Sequence, residues 1–369
     1  VNIKSVEIRT IALPLVRPFR TSFGTQNDRE LLLIKITMHD GVEGWAECVA
    51  MSEPLYSPEF TAGCQDVMER FLLPNLFAYG DIRAEDVAST LRPFLGHQMA
   101  KAALESAVLD AQLKLEGISF GSYLGSSRNL IDCGVSVGIA PSIESLVEEV
   151  SDYVNQGYKR IKLKIEPGWD IEPVSVIRGM WPTIPLQVDA NQAYSRSDTE
   201  LLKKLDAYDL LLIEQPLDEH DIVGHALLSA KVDTPICLDE SITSYESARD
   251  ALALKATTVI NIKPGRVGGY LESLKIHDLC VEQNIPVWCG GMLETGIGRA
   301  ANVALASLPG FTLPGDTSAS SRFFKRDITT PFVMEEGQLR VPHGPGIGVE
   351  IDHDFIEEIT SARKLIPAK

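Results

Sequence analysis

Between residues 160 and 263 five short apolar runs each end on an ionisable residue: Arg160-Ile-Lys-Leu-Lys164, Leu186-Gln-Val-Asp189, Leu211-Leu-Ile-Glu214, Ile236-Cys-Leu-Asp239 and Ile260-Asn-Ile-Lys263. The end residues are spaced by 25, 25, 25 and 24 positions. A strand, a crossover helix and two loops need about that many residues, so five consecutive β/α units each deliver one side chain at the same height. The runs at 160–165, 186–190, 210–215, 236–240 and 258–263 are joined by others at 133–138, 287–291 and 311–315. Eight strands buried on both faces and separated by helical spacers predict a parallel β/α barrel. The competing open, doubly wound sheet lacks its Gly-x-Gly-x-x-Gly turn after the first run. Gly265, Gly268 and Gly269 do follow a strand, but their spacing does not fit that fingerprint.

Outside the runs the pattern changes. Residues 6–15 and 31–38 are rich in apolar and β-branched residues and predict strands, whereas 17–28, with Pro18 and Gly24, predicts a loop. The stretch 93–117 predicts a helix from His97 to Glu116, stopped by Gly117. After residue 321 the alternation ends in Pro331, Pro342, Pro345 and a Gly344 to Gly348 turn cluster. The expected organisation is an α+β capping domain from 1–125 plus 321–369, with the chain ends packed together, and a barrel from 126–320.

The composition suits a large soluble core: 44% hydrophobic and 23% charged residues in 369. A net charge of −17 argues against nucleic acid or an anionic membrane surface as partner. Cys48, Cys64, Cys133, Cys237, Cys280 and Cys289 include no Cys-x-x-Cys pair. They are expected to be free buried thiols, and with no leader at 1–23 and no long apolar run the protein is expected to be cytoplasmic.

The barrel places the ends of these strands at the C-terminal rim, where barrel active sites lie. The rim order is Lys164, Asp189, Glu214, Asp239, Lys263. Three neighbouring carboxylates raise one another's pKa unless a cation joins them, and oxygen-only ligation points to Mg²⁺ or Mn²⁺ rather than Zn²⁺. A lysine is a useful base at neutral pH only with a lowered pKa, for which the metal and Arg266 are candidate causes. If the lysines face each other across a substrate, one removes an α-proton and the other returns it. Structural ion pairs would explain any one of these residues, but not five in register. Lys162 shares the orientation of Lys164. Asn191 is placed to bond ligands or substrate, and Glu240 and Gln215 to support the ligands from behind. His220, His225 and His277 read as surface residues. A catalytically silent metal-binding scaffold and a Schiff-base aldolase on a similar barrel are the alternatives from other classes.

Lys162-Leu-Lys164, Val188-Asp-Ala-Asn191, Ile213-Glu-Gln-Pro216, Leu238-Asp-Glu-Ser241 and Asn261-Ile-Lys-Pro-Gly-Arg266 resemble the muconate-lactonizing subgroup of the enolase superfamily. Lysine or histidine bases beside Mg²⁺ are a known pattern of that superfamily. Gly290-Gly-Met-Leu-Glu-Thr-Gly-Ile-Gly-Arg299 and Pro314-Gly-Asp-Thr-Ser-Ala-Ser-Ser-Arg322 narrow the resemblance to the N-acylamino acid racemase / o-succinylbenzoate synthase family. The resemblance implies a (β/α)7β barrel with an α+β cap, a metal at Asp189, Glu214 and Asp239, Lys164 and Lys263 as the acid/base pair, and Lys162 as a helper. It implies a substrate lining of Phe19, Phe23, Met51 and Tyr56 from the cap and Ser136, Gly291, Met292, Ile297 and Phe323 from the barrel. It further implies a small carboxylate substrate and a homo-oligomer, up to an octamer. Arg266 after the second lysine resembles the racemase-capable members. Dipeptide epimerases carry Asp-x-Asp where this chain has Asp316-Thr-Ser318, so that reading loses ground; a muconate-type cycloisomerase stays open.

Overall fold

The computed structural model describes residues 2–368; Val1 and Lys369, the outermost positions of the expected cap, lie outside them. Strands β1 (Ile3–Thr21), β2 (Gly24–Met38) and β3 (Glu43–Cys48) open the chain. The short strand β4 (Leu130–Asp132) precedes the barrel strands β5 (Gly134–Val137), β6 (Arg160–Lys164), β7 (Leu186–Asp189), β8 (Ile213–Glu214), β9 (Ile236–Leu238), β10 (Val259–Ile262) and β11 (Val287–Cys289). Finally, β12 (Gln338–Arg340) pairs with β4, and β13 (Thr360–Pro367) pairs antiparallel with β1. The N-terminal sheet therefore has the order β13-β1-β2-β3 and takes in both chain ends.

β5 to β11 form one parallel sheet in sequence order. The eighth run makes no strand. It closes the barrel through single parallel bridges, Phe311 to Val287 and Gly315 to Cys133. The segment is rich in Pro and Gly, and Pro314 has no N–H to give to a ladder. Val135, Ile161, Leu163, Val188, Ile213, Leu238, Ile260 and Ile262 are all buried and, alternating with the rim residues, face the surrounding helices, while Leu212, Cys237, Val259 and Trp288 form a separate apolar cluster inside the barrel.

Residues 17–28 are not a loop. β1 and β2 continue as a hairpin past a register irregularity between Pro14 and Phe19, with Phe19 opposite Gln26 and Thr21 opposite Gly24. Pro18 falls in the irregular part, where its missing N–H interrupts no regular ladder. The cap helix Gln98–Glu116 ends as expected on Gly117 in a left-handed conformation (φ 69°). It is buried on nearly all sides and packs closely on β3: a Cβ on Gly44 would lie 2.0 Å from the Ala107 carbonyl oxygen. All six cysteines are free and buried. Among the described residues no helix is long and apolar enough to cross a membrane.

Candidate active site

Strand register brings the rim residues together. Lys164 pairs with Asp189 across β6 and β7, and Asp189 with Glu214 across β7 and β8. Asp239 and Lys263 each stand one residue beyond their strands. β6 and β10 are four positions apart in an eight-position barrel, so Lys164 and Lys263 face each other across its axis. Asp189, Glu214 and Asp239 are almost fully buried between them.

Lys164 Nζ donates to Asp189 Oδ2 (2.6 Å) and Asn191 Oδ1 (2.7 Å). Lys162 Nζ donates to Glu214 Oε2 (3.0 Å) and Asp316 Oδ2 (2.7 Å) and lies over the Trp288 ring at 4.7 Å. Lys263 Nζ donates to Asp239 Oδ2 (2.8 Å) and to the Tyr56 hydroxyl (3.1 Å), which itself donates to Asp239 Oδ1 (3.0 Å). Asn261 Nδ2 donates to Glu214 Oε1 (2.8 Å). Gly290 leaves the space in which Lys263 stands: a Cβ there would lie 2.7 Å from Lys263 Cε.

The expected supports are in place behind the acids. Asn191 Nδ2 donates to Glu240 Oε1 (2.9 Å). Gln215 Oε1 accepts from the backbone N–H of Asp239 (3.0 Å) and Ser241 (3.2 Å). Asn191 and Gln215 both hold left-handed backbones (φ 42° and 37°), strain of the kind that gathers at functional rims. Arg266 stands near Lys263, sharing Asp239 and the Tyr56 hydroxyl with it. Its guanidinium pairs with Asp239 Oδ1, donates to the Tyr56 hydroxyl (3.3 Å) and donates to the carbonyls of Asn261 and Ile242.

Electrostatics follow from burial and pairing. Burial pushes the Asp189 carboxyl up, but Lys164 and Lys162 outweigh it and hold the group down at about 2. Burial and the adjacent Asp189 raise Glu214, and the same two causes push Glu240 up to about 7. Burial disfavours the charge of Lys162 and Lys263. Even so, Asp316, Glu214 and Asp189 around the first, and Tyr56, Glu214 and Glu240 around the second, hold both above the ordinary lysine value. The lowering expected for the second lysine is thus not produced by the protein's own groups, because acids outnumber cations around it.

The residues expected to line the substrate space divide. Phe19, Ser136, Gly291 and Phe323 surround one small cavity with Lys162, Lys164 and Lys263. Phe23 and Met51 line a separate hollow between the hairpin tip and residues 51–55, which shares no lining residue with the lysine cavity. Tyr56 stands against Lys263. Met292 meets the cap through its carbonyl, which accepts from Arg29 Nε (3.0 Å). Ile297 lies in a cap–barrel seam with Trp45 and Glu47, apart from the lysine cavity. His220 is exposed, but His225 and His277 are buried, contrary to expectation. The Nε2 of each accepts a backbone N–H, from Leu217 (3.2 Å) for His225 and from Gly310 (3.1 Å) for His277, a local role that composition does not reveal. Sequence reading overlooked Asp316 and Arg160. Asp316 accepts from both Lys162 and Arg160 Nη1 (2.9 Å). It stands one residue beyond the eighth run, whereas the other rim acids end theirs.

Among the described residues no three His, Cys, Asp or Glu side chains converge as a ready-made metal cage. The donor chemistry nonetheless fits a hard dication: three buried carboxylates on neighbouring strand ends, with oxygen donors only. Glu240 Oε2 lies beside them, buried and without a hydrogen-bond partner.

Residues 4–125 match the mandelate racemase / muconate lactonizing enzyme N-terminal domain, and residues 145–355 match the enolase C-terminal domain-like family. The chain is 56% identical over 363 residues to an N-succinylamino acid racemase of Amycolatopsis sp, covering 98% of each chain. It is 46% identical over 366 residues to an o-succinylbenzoate synthase of Geobacillus kaustophilus, covering 99% of this chain and 98% of that one. The crystal structure of an enolase-superfamily member from Listeria innocua Clip11262 matches with a TM-score of 0.96 and 40% identity over 100% of both chains. With both domains matched and the rim of acids and lysines in register, the chain belongs to the enolase superfamily, in the mandelate racemase / muconate lactonizing enzyme family.

Proposed function

We propose that the protein removes the proton α to a carboxylate and racemises N-succinylamino acids, with o-succinylbenzoate synthesis as a second activity of the same site. One observation carries this reading: Lys164 and Lys263 line a single cavity from opposite sides of the barrel, with Lys162 in the same lining. A substrate whose α-carbon lies between the two ammonium positions offers one lysine to each face. The neutral form of either Nζ accepts the α-proton, and the protonated form of the other delivers one to the opposite face. Lys162, held charged by Asp316, Glu214 and Asp189, offsets the negative charge that develops on the substrate's carboxylate.

Superfamily membership implies a divalent cation, which Asp189, Glu214 and Asp239 would hold as Mg²⁺ or Mn²⁺. When bound it supplies Lewis-acid stabilisation of the carboxylate and positive charge beside the two lysines. Synthase activity needs the same proton removal, followed by loss of the substrate's hydroxyl as water. The o-succinylbenzoate synthase relative supports this second reading. Phe19 and Phe323 flank the cavity and keep water from it, with Lys164 Nζ 5.9 Å from the centre of the Phe19 ring. We place the protein in the cytoplasm as a homo-oligomer; a monomer in light scattering at micromolar concentration would sink that assembly.

The test is a racemisation assay on N-succinylamino acids with Mg²⁺ or Mn²⁺, run beside a synthase assay so that kcat/KM can be compared. Turnover of at least the racemase substrates is expected. Absence of racemisation across a panel of N-acylamino acids would sink the racemase reading.

A further inference from the structure

The glycines after the second lysine are built to receive the cap. Lys263 is followed at once by the short helix Pro264–Val267, then Gly268 and Gly269, then the helix Tyr270–Glu282. A Cβ on Gly265 would lie 2.3 Å from Val49 Cγ2, and one on Gly268 would lie 3.2 Å from Gln98 Oε1. At Gly269 (φ 141°) a Cβ would meet all three carboxyl atoms of Glu105 at 2.2 to 2.4 Å. All three contacts are with cap residues.

Glu105 itself comes from the middle of the cap helix Gln98–Glu116 and is 1% exposed. Its Oε1 accepts the N–H of Tyr270 (2.6 Å) and of Leu271 (3.1 Å), two of the N–H groups that a helix start leaves without partners. The spacing of these glycines does not fit a Gly-x-Gly-x-x-Gly fingerprint, and their geometry explains them as a socket for a cap carboxylate. Nothing comparable follows Lys164. There the cap meets the next turn through the Arg20 to Glu166 pair (2.7 Å), whose side chains are 47% and 25% exposed. Such a pair contributes little.

We infer that Glu105 is a positioning residue for Lys263: it docks the cap helix on the turn that follows this lysine and so fixes where the ammonium stands, while Lys164 is set by its own strand. This rests on the two-lysine reading above. The probe is α-proton exchange of both enantiomers of an N-succinylamino acid in D₂O, with Mn²⁺ present. Glu105→Ala is combined with Lys164→Ala, where only Lys263 remains, and separately with Lys263→Ala, where only Lys164 remains. Exchange from the Lys263 side is expected to fall about tenfold or more, and from the Lys164 side to stay within about threefold. Glu105→Gln keeps an oxygen for the two N–H groups and should shift the same ratio less. Should Glu105→Ala fail to fold, the Gln variant decides: an unchanged ratio overturns the inference. An equal fall on both sides overturns it as well, since a merely structural role lowers both. If the single-lysine chains, before any change at Glu105, each exchange both enantiomers or neither, the two-lysine reading has failed and the inference falls with it.

Discussion

Lys164 and Lys263 occupy equivalent places on opposite sides of one barrel, yet they are held by different means. Lys164 lies within its strand and is fixed by the adjacent strand end, through Asp189 and Asn191. Its neighbours from the cap belong to the tip of the β1–β2 hairpin, where Ser22 Oγ donates to the Ala190 carbonyl (3.1 Å). Lys263 stands beyond its strand and is enclosed by buried cap groups. The Tyr56 ring lies 4.4 Å from Nζ, and Val49, Gln98 and Glu105 fill the three glycine sockets behind it. A second cap carboxylate works on the same side. Glu47 accepts from Thr295 N (3.1 Å) and Gly298 N (3.1 Å), at the start of the helix Gly296–Ala306. The barrel alone defines one half of the acid/base pair, and the cap must be docked to define the other.

Several perturbations separate the two halves. The largest should not discriminate at all. Chelation with EDTA is expected to abolish exchange on both sides, and Mg²⁺ or Mn²⁺ to restore it, because the three carboxylates serve both lysines. Persistent exchange on either side after chelation would mean that this side works without the cation. A sharper break comes from Gly290→Ala. The new Cβ would lie 2.2 Å from Asn261 Oδ1 as well as against Lys263 Cε, so the Lys263 side should lose about a hundredfold in exchange and the Lys164 side far less. Equal losses would show that the rim moves as a unit.

The smallest effect is on stability. Burial, with Glu294 nearby, pushes Glu47 up to about 8, and burial pushes Glu105 up to about 8, both from an ordinary 4.5. Between those values the folded protein holds protons that the unfolded chain releases, so stability is greatest at the acid end of the window and falls as pH rises through it. Thermal melts should lose a few degrees between about pH 6 and about pH 9. Glu47→Gln and Glu105→Gln should each flatten the slope. A slope unchanged in both variants would show that the cap carboxyls on the Lys263 side do not titrate in this range.

The five rim residues were legible because strands buried on both faces leave a simple trace: a short apolar run ended by one ionisable group. Asp316 leaves no such trace, since the run before it forms only single bridges, and Arg160 begins its strand instead of ending it. The hairpin at 17–28 was hidden because Pro18 and Gly24 signal a turn equally well inside an irregular strand pair. The burial of His225 and His277 depends on carbonyl and N–H partners supplied in three dimensions. The glycine sockets were visible as glycines but not as sockets, because Glu105 lies 165 positions from Tyr270, which it caps. Local pattern records what a strand does to its own residues. It does not record which distant element fills a gap.

The central claim is that two lysines serve two faces of one α-carbon. It is tested most directly by following α-proton exchange of each enantiomer of an N-succinylamino acid in D₂O with Lys164→Ala and Lys263→Ala. Each variant should lose racemisation by about a thousandfold or more while retaining exchange of one enantiomer, and the retained enantiomer should differ between the two. Normal exchange of both enantiomers in either variant would contradict the account.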